Sequence, residues 1–146
     1  NLECPYVKRH YGSNNMQTTQ KFAKSKNVIW ITVISSAEGK QGYIQPNDAV
    51  NTFASFGSFP DHILIDENGD LGKKFNAKTT PHIFIADKNK NIVYQGAIDD
   101  AGGSRFWTTD LNQSTNFVKK VINDIKSNKP LSVSKTRPYG CSVKYG

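Results

Sequence analysis

The sequence predicts an α/β domain, and three features point to it. Val28-Ile29-Trp30-Ile31-Thr32-Val33-Ile34 is a β-branched, nearly unbroken apolar run of strand length, as expected of a central strand covered on both faces. Between Ser114 and Lys126, residues Phe117, Val118, Val121, Ile122 and Ile125 recur at the spacing of an amphipathic helix. His82 to Ala86 and Ile92 to Gln95 flank the polar Asp87-Lys88-Asn89-Lys90-Asn91 as the two strands of a hairpin. A chain of 146 residues is the length of one domain. It can bury a core without disulfide staples or a structural metal, so residues 1–146 are read as a single unit.

The remaining elements follow in order. Cys4-Pro5 opens a first helix, because proline is favoured at the first helical position and leaves the preceding residue as the cap. Gly12-Ser13-Asn14-Asn15 interrupts that helix, and Met16, Thr19, Phe22 and Ala23 restart a helical stripe that ends near Asn27. Ser35 to Gln45 reads as a loop. Pro46 to Phe56 reads as a helix with Val50, Phe53 and Ala54 inward, closed by Gly57. His62 to Ile65 is a second short strand, Asp66-Glu67-Asn68-Gly69 a turn, and Leu71 to Asn76 a short helix. Gly96 to Arg105 is irregular, and Asp99-Asp100 within it reads as a turn. Residues 129–146 form a basic tail with two prolines and no helical period. It is expected to be flexible enough to reach the first helix.

Composition narrows the function classes. Hydrophobic residues make up 36% and charged residues 21% of the chain, the balance of an ordinary globular protein. The longest apolar run has seven residues, too few for a membrane-spanning helix. The net charge of +7 divides into +4 over residues 1–30, −3 over the middle and +6 over 119–146. Basic ends of this kind can attract an anionic partner. No RNA-binding aromatic motif or arginine cluster accompanies the lysines, so no nucleic-acid partner is expected. Gly39-Lys40-Gln41-Gly42 lacks the spacing of a phosphate-binding loop.

Only two cysteines occur, Cys4 and Cys141, which excludes a disulfide scaffold and a four-cysteine zinc site. No histidine stands at ligand spacing from Asp99 or Asp100, so no metal is expected. No charged, apolar leader precedes Cys4, and the chain starts at Asn1. The location stays open between an exported (periplasmic or secreted) and a cytoplasmic protein, with export the favoured of the two.

Several segments then fall into one pattern: Cys4-Pro5-Tyr6-Val7-Lys8, Gly39-Lys40-Gln41-Gly42, Asp66-Glu67-Asn68-Gly69, Ala77-Lys78-Thr79-Thr80-Pro81-His82, Gly96-Ala97-Ile98-Asp99-Asp100 and Tyr139-Gly140-Cys141-Ser142-Val143-Lys144-Tyr145. Together they resemble the thioredoxin-like redoxins of the alkyl hydroperoxide reductase/thiol-specific antioxidant superfamily, the peroxiredoxin-like group. The resemblance covers residues 4 to 145. It implies a thioredoxin-like three-layer sandwich around a mixed central sheet, with the nucleophilic thiol at the start of the first helix. It implies a cis Pro81 beside that thiol, with the Thr80 backbone offered to an extended substrate. The sequence departs from the pattern at Asn1. Thioredoxins carry a second cysteine three residues from the first, peroxiredoxins a Thr or Ser three before it. The implied fold also places a strand directly before the active-site helix. Only Asn1, Leu2 and Glu3 precede Cys4, so part of the N-terminal strand region is expected to be missing.

The chemistry these residues allow is that of a thiolate. Its pKa falls at a helix N-terminus, where Cys4 sits, and Lys8, Arg9 and Arg105 are the candidate stabilising cations. Three readings of Cys141 stay open: a resolving thiol, half of a permanent tie between tail and core, or a free thiol. The expected function is a thiol-dependent oxidoreductase with Cys4 and Cys141 as catalytic thiols and Pro5, Thr80 and Pro81 at the substrate site. A protein disulfide or a peroxide would be reduced, an external thiol would reset the pair, and no cofactor is needed. The alternative is a non-catalytic peptide-binding module whose cysteines form a structural disulfide.

Overall fold

A computed structural model describes all residues from Asn1 to Gly146, and the chain is mixed α/β. Helix α1 (Pro5–Gly12) and helix α2 (Asn15–Ser25) lead into strand β1 (Ile31–Ile34). A 3₁₀ turn (Pro46–Asp48) and helix α3 (Ala49–Ser55) precede strand β2 (His62–Ile65) and helix α4 (Asp70–Lys74). Strand β3 (Thr79–Thr80), the hairpin strands β4 (Ile83–Ala86) and β5 (Ile92–Gly96), helix α5 (Phe117–Lys126) and strand β6 (Cys141–Ser142) complete the order. No helix is long and apolar enough to cross a membrane.

The strands form three separate two-stranded ladders: β1 with β2 in parallel, β3 with β6 antiparallel, and β4 with β5 antiparallel. This corrects the expectation of one mixed central sheet, since no strand joins β1 to the hairpin. The first ladder is also not covered on both faces. Ile34 is buried, whereas Ile29, Ile31, Val33 and Leu64 are exposed. An apolar run tells that a strand is buried somewhere, not how many of its edges and faces find partners.

Helix α3 brings a second correction. Its inward stripe is Ala49 and Phe53, at i and i+4, while Val50 is 70% exposed and Ala54 also faces out. Phe53 points inward as expected, but Ala49 takes the inward place expected of Val50 and Ala54, with the helix starting after the 3₁₀ turn at Pro46–Asp48. Helix α5 agrees with its pattern. Asn116 caps it by accepting a hydrogen bond from the Lys119 N–H (3.0 Å), and Val118, Val121 and Ile122 are buried.

One continuous core joins these parts: Leu2, Val7, Tyr11 and Met16 from the N-terminal helices, Phe53, Tyr94, Ile98 and the inner face of α5. A smaller cluster of Ala101, Phe106 and Leu111 lies under Tyr6 and Tyr139. The tail is not free, which corrects the expectation drawn from its lack of period. Thr136 takes a hydrogen bond from the Ala97 N–H (2.9 Å) and shares one with the Tyr94 hydroxyl (2.7 Å). Its N–H reaches Gln95 O, the Val143 N–H reaches Lys78 O, and the Tyr145 hydroxyl donates to Ala77 O. Anchors this far apart in sequence leave no local signal.

Candidate active site

Cys4 takes the N-cap place of α1 with extended backbone (φ −67°, ψ 126°), and Pro5 occupies the first turn. The cap is reinforced from behind. Asn1 Oδ1 accepts from the backbone N–H groups of Glu3 (2.9 Å) and Cys4 (3.1 Å). The Cys4 side chain is fully buried, and its thiol donates to Thr80 O at 3.3 Å. The Thr80–Pro81 peptide is cis. The two motifs, more than seventy residues apart in sequence, therefore meet at one sulfur atom.

Strand β6 delivers the second thiol. Cys141 pairs in register with Thr80, and Ser142 with Thr79. Gly140, just before, adopts φ +148° and lies flat against the Thr80 carbonyl. The Thr80 backbone edge, expected to receive a substrate, is thus filled by the chain's own tail. Thr80 Oγ1 is buried without a hydrogen-bond partner. His82 serves the turn. Its Nδ1 accepts from the Lys78 N–H (3.1 Å) and closes the turn before the cis peptide, while its ring packs on Phe84.

The two thiols are pushed in opposite directions. Burial raises the Cys4 pKa, yet the Cys141 thiol and the N–H groups of Val7, Cys141 and Tyr6 outweigh it and leave Cys4 below the ordinary thiol value. Sγ makes no strict cap hydrogen bond, so the N–H groups of the first turn act through their field. The thiol contact to Thr80 O favours the protonated form, but it is a single weak sulfur–oxygen bond against several donors. Cys141 is pushed up to about 11 by burial and by the neighbouring Cys4. Of the two thiols, Cys4 is therefore the one that ionises first.

The cations expected to stabilise Cys4 are placed elsewhere. Arg9 Nη2 donates to Thr109 O at 2.9 Å, and its guanidinium lies over the Phe106 and Trp107 rings. Lys8 and Arg105 are exposed. The helix terminus and the second thiol, rather than a cation, dominate the shift at Cys4. Pro5 is exposed at the rim of the site.

One group escaped the sequence reading. Asp99, expected in a solvated turn, is 1% exposed. Its Oδ1 accepts from the Ala101 N–H (3.1 Å) and from the Tyr139 hydroxyl, and its Oδ2 accepts from Asn15 Nδ2 (3.2 Å). Because a carboxylate only accepts, Asn15 must present its NH₂ here. The same nitrogen lies 2.9 Å from His10 Nδ1. His10 is therefore neutral with its proton on Nε2, the atom 3.5 Å from the Tyr139 hydroxyl. No short-range pattern announces such a group, since its members lie on α1, on α2, in the 96–102 loop and in the tail.

Burial, helped by the Arg9 charge, lowers the His10 pKa from 6.5 to about 4. A folded-state pKa below the unfolded one means that the unfolded chain binds the extra proton. Stability is whole above pH 6.5 and falls as pH drops toward 4, by about 3 kcal/mol. Urea unfolding at a series of pH values is expected to show this slope in the parent. The slope should be reduced by that amount in His10→Gln, whatever the variant's stability at pH 7. Parallel pH profiles would contradict a neutral buried His10.

Comparison with known proteins gives the fold and nothing more specific. No protein-family model matches the chain, and no curated protein matches it. Among solved structures it is similar to an uncharacterized conserved protein from Geobacillus kaustophilus, with a TM-score of 0.80 and 21% identity over 98% of this chain and 72% of that one. It is likewise similar to a hypothetical protein from Sinorhizobium meliloti, with a TM-score of 0.76 and 19% identity over 98% of this chain and 74% of that one. At such identities the likeness is one of fold alone. The chain shares the α/β architecture of both bacterial proteins.

Proposed function

We infer that the protein is a thiol-dependent oxidoreductase on a thioredoxin-like scaffold, with Cys4 as nucleophile and Cys141 as resolving thiol. The observation that carries this reading is the pair itself. A helix-capping thiol with a lowered pKa lies against the Thr80–Pro81 peptide, and a second thiol with a raised pKa is held beside it by β6. A structural tie alone needs no such split between the two groups, whereas exchange chemistry does.

With a disulfide substrate R–S–S–R′, the Cys4 thiolate attacks one sulfur, forms Cys4–S–S–R and expels R′–S⁻. Cys141 then loses its proton and attacks the Cys4 sulfur, expelling R–S⁻. The substrate gains two electrons, the protein disulfide holds the oxidation, and two equivalents of an external thiol restore the pair. With a hydroperoxide, Cys4 takes the terminal oxygen to become a sulfenic acid and the alcohol leaves. Condensation with Cys141 then releases water. A disulfide is preferred over a small peroxide, because Asn1 offers no hydroxyl to a peroxide beside Cys4 and its amide is already engaged by the Glu3 and Cys4 N–H groups and by Gln41 O.

The test is a titration of thiolate absorbance in the reduced protein. The Cys4 midpoint is expected below the free value of about 8.5. It should rise in Cys141→Ala, which removes the facing thiol. A parent midpoint at or above the free value would remove the basis for Cys4 as nucleophile. Single-turnover rates with a peptide disulfide and with hydrogen peroxide then decide the oxidant, and a much faster peroxide reaction reverses the preference stated here.

A further inference from the structure

We propose that Tyr139 and Asp99 are positioning residues of this redox site: their buried hydrogen bond holds the tail so that Cys141 stands within reach of Cys4. The proposal rests on the oxidoreductase reading above. Tyr139 precedes Cys141 by two residues, and Gly140 between them is held against the Thr80 carbonyl, so fixing the Tyr139 ring helps to fix the start of β6. The ring packs among Tyr6, His10 and Phe106, and its hydroxyl donates to Asp99 Oδ1. Asp99 is held in turn by Asn15, which also touches His10 on α1, the helix that Cys4 caps. The chain of contacts starts on the helix carrying one thiol and ends on the strand carrying the other. A solvated turn and a plain core tyrosine would need none of it. A carboxylate kept fully buried is costly unless its partners matter.

The step that reads this out is balanced with glutathione: the two protein thiols and one glutathione disulfide give the protein disulfide and two glutathione thiols. A tail held in place raises the effective concentration of Cys141 at Cys4 and favours the protein disulfide. Tyr139→Phe keeps the ring and removes the hydroxyl. It is expected to lower this equilibrium constant by about tenfold, the scale of one hydrogen bond to a buried carboxylate. Asp99→Asn retains the Oδ1 acceptor used by Tyr139 and Ala101, and should fall between the parent and Tyr139→Phe. Tyr11→Phe removes another buried hydroxyl bond, to Ser58, and should stay within about twofold of the parent although it loses comparable stability.

A reciprocal measurement needs no substitution. If the latch favours the disulfide, the disulfide tightens the latch. The Ala101 amide, which donates to Asp99, is then expected to exchange its hydrogen about tenfold more slowly in oxidised than in reduced parent protein. An unchanged equilibrium in Tyr139→Phe, an equal shift in Tyr11→Phe, or equal Ala101 exchange in both redox states overturns the positioning role while leaving the oxidoreductase reading intact. A parent protein that forms no Cys4–Cys141 disulfide in glutathione buffers overturns both.

Discussion

Cys4→Ser is expected to slow reduction of an external peptide disulfide by at least about 10³, and Cys141→Ser to stop the reaction after its first step. The asymmetry follows from the two environments. Only the ionised form of the attacking group is a nucleophile, and a serine hydroxyl in the same place stays protonated at any pH the fold survives. The substitution should cost little structure, since the hydroxyl can donate to Thr80 O as the thiol does now. Cys141→Ser leaves the lowered Cys4 pKa largely in place, because a hydroxyl can still donate toward the thiolate, but it removes the sulfur that resolves the mixed disulfide. Stopped-flow release of a chromophoric leaving thiol should therefore show no fast phase in Cys4→Ser. In Cys141→Ser a single full-amplitude burst is expected, with a Cys4 mixed disulfide accumulating by mass. If the burst vanishes in Cys141→Ser and survives in Cys4→Ser, the roles of the two thiols are reversed.

What the sequence made legible divides along the range of the interactions. Cys4-Pro5 marks a helix start by local geometry, and the α5 stripe, the hairpin and strand β2 each encode themselves within a dozen residues. The structure has all of them close to their expected bounds. Cys4 and Thr80-Pro81 could be paired only through the family resemblance, because nothing in either motif points to the other. The errors share one cause. The composition of Val28 to Ile34 predicts cover on both faces, yet Ile31 and Val33 are exposed, because coverage depends on elements elsewhere in the chain. The tail looked free because its anchors, Thr136 on Tyr94 and Gly140 on Thr80, span about forty and sixty residues. Arg9 lies one helical turn beyond Cys4, but its guanidinium finds the Thr109 carbonyl and the Phe106 face instead. Asp99 illustrates the limit most clearly. Its sequence neighbours are those of a surface turn, and only Asn15 and Tyr139, 84 and 40 residues away, make it a buried acceptor.

Gly140→Ala is expected to free the tail from the site. Gly140 sits at φ +148°, a conformation that residues with a Cβ rarely adopt. An added Cβ would also collide with the Thr80 carbonyl, which is backbone and already engaged with the Cys4 thiol. Neither partner can yield without moving β6 or the Thr80–Pro81 turn. The two-residue ladder of β6 with β3 is the weaker of the two, so β6 is the part that leaves. The backbone conformation alone costs on the order of 1–3 kcal/mol, enough to shift the closed state by a factor of about 5 to 150. Two readouts should move together. Cys4, fully buried in the parent, becomes accessible to iodoacetamide, and this gain outweighs any rise of its pKa once Cys141 withdraws. The Cys4–Cys141 disulfide becomes correspondingly easier to reduce. Gly39→Ala is the matched control, because Gly39 also has positive φ (+75°) but open space around it, so it carries the conformational cost without the collision. An alkylation rate in Gly140→Ala no greater than in Gly39→Ala would mean that β6 does not cover Cys4, and that external disulfides reach the thiolate by another path.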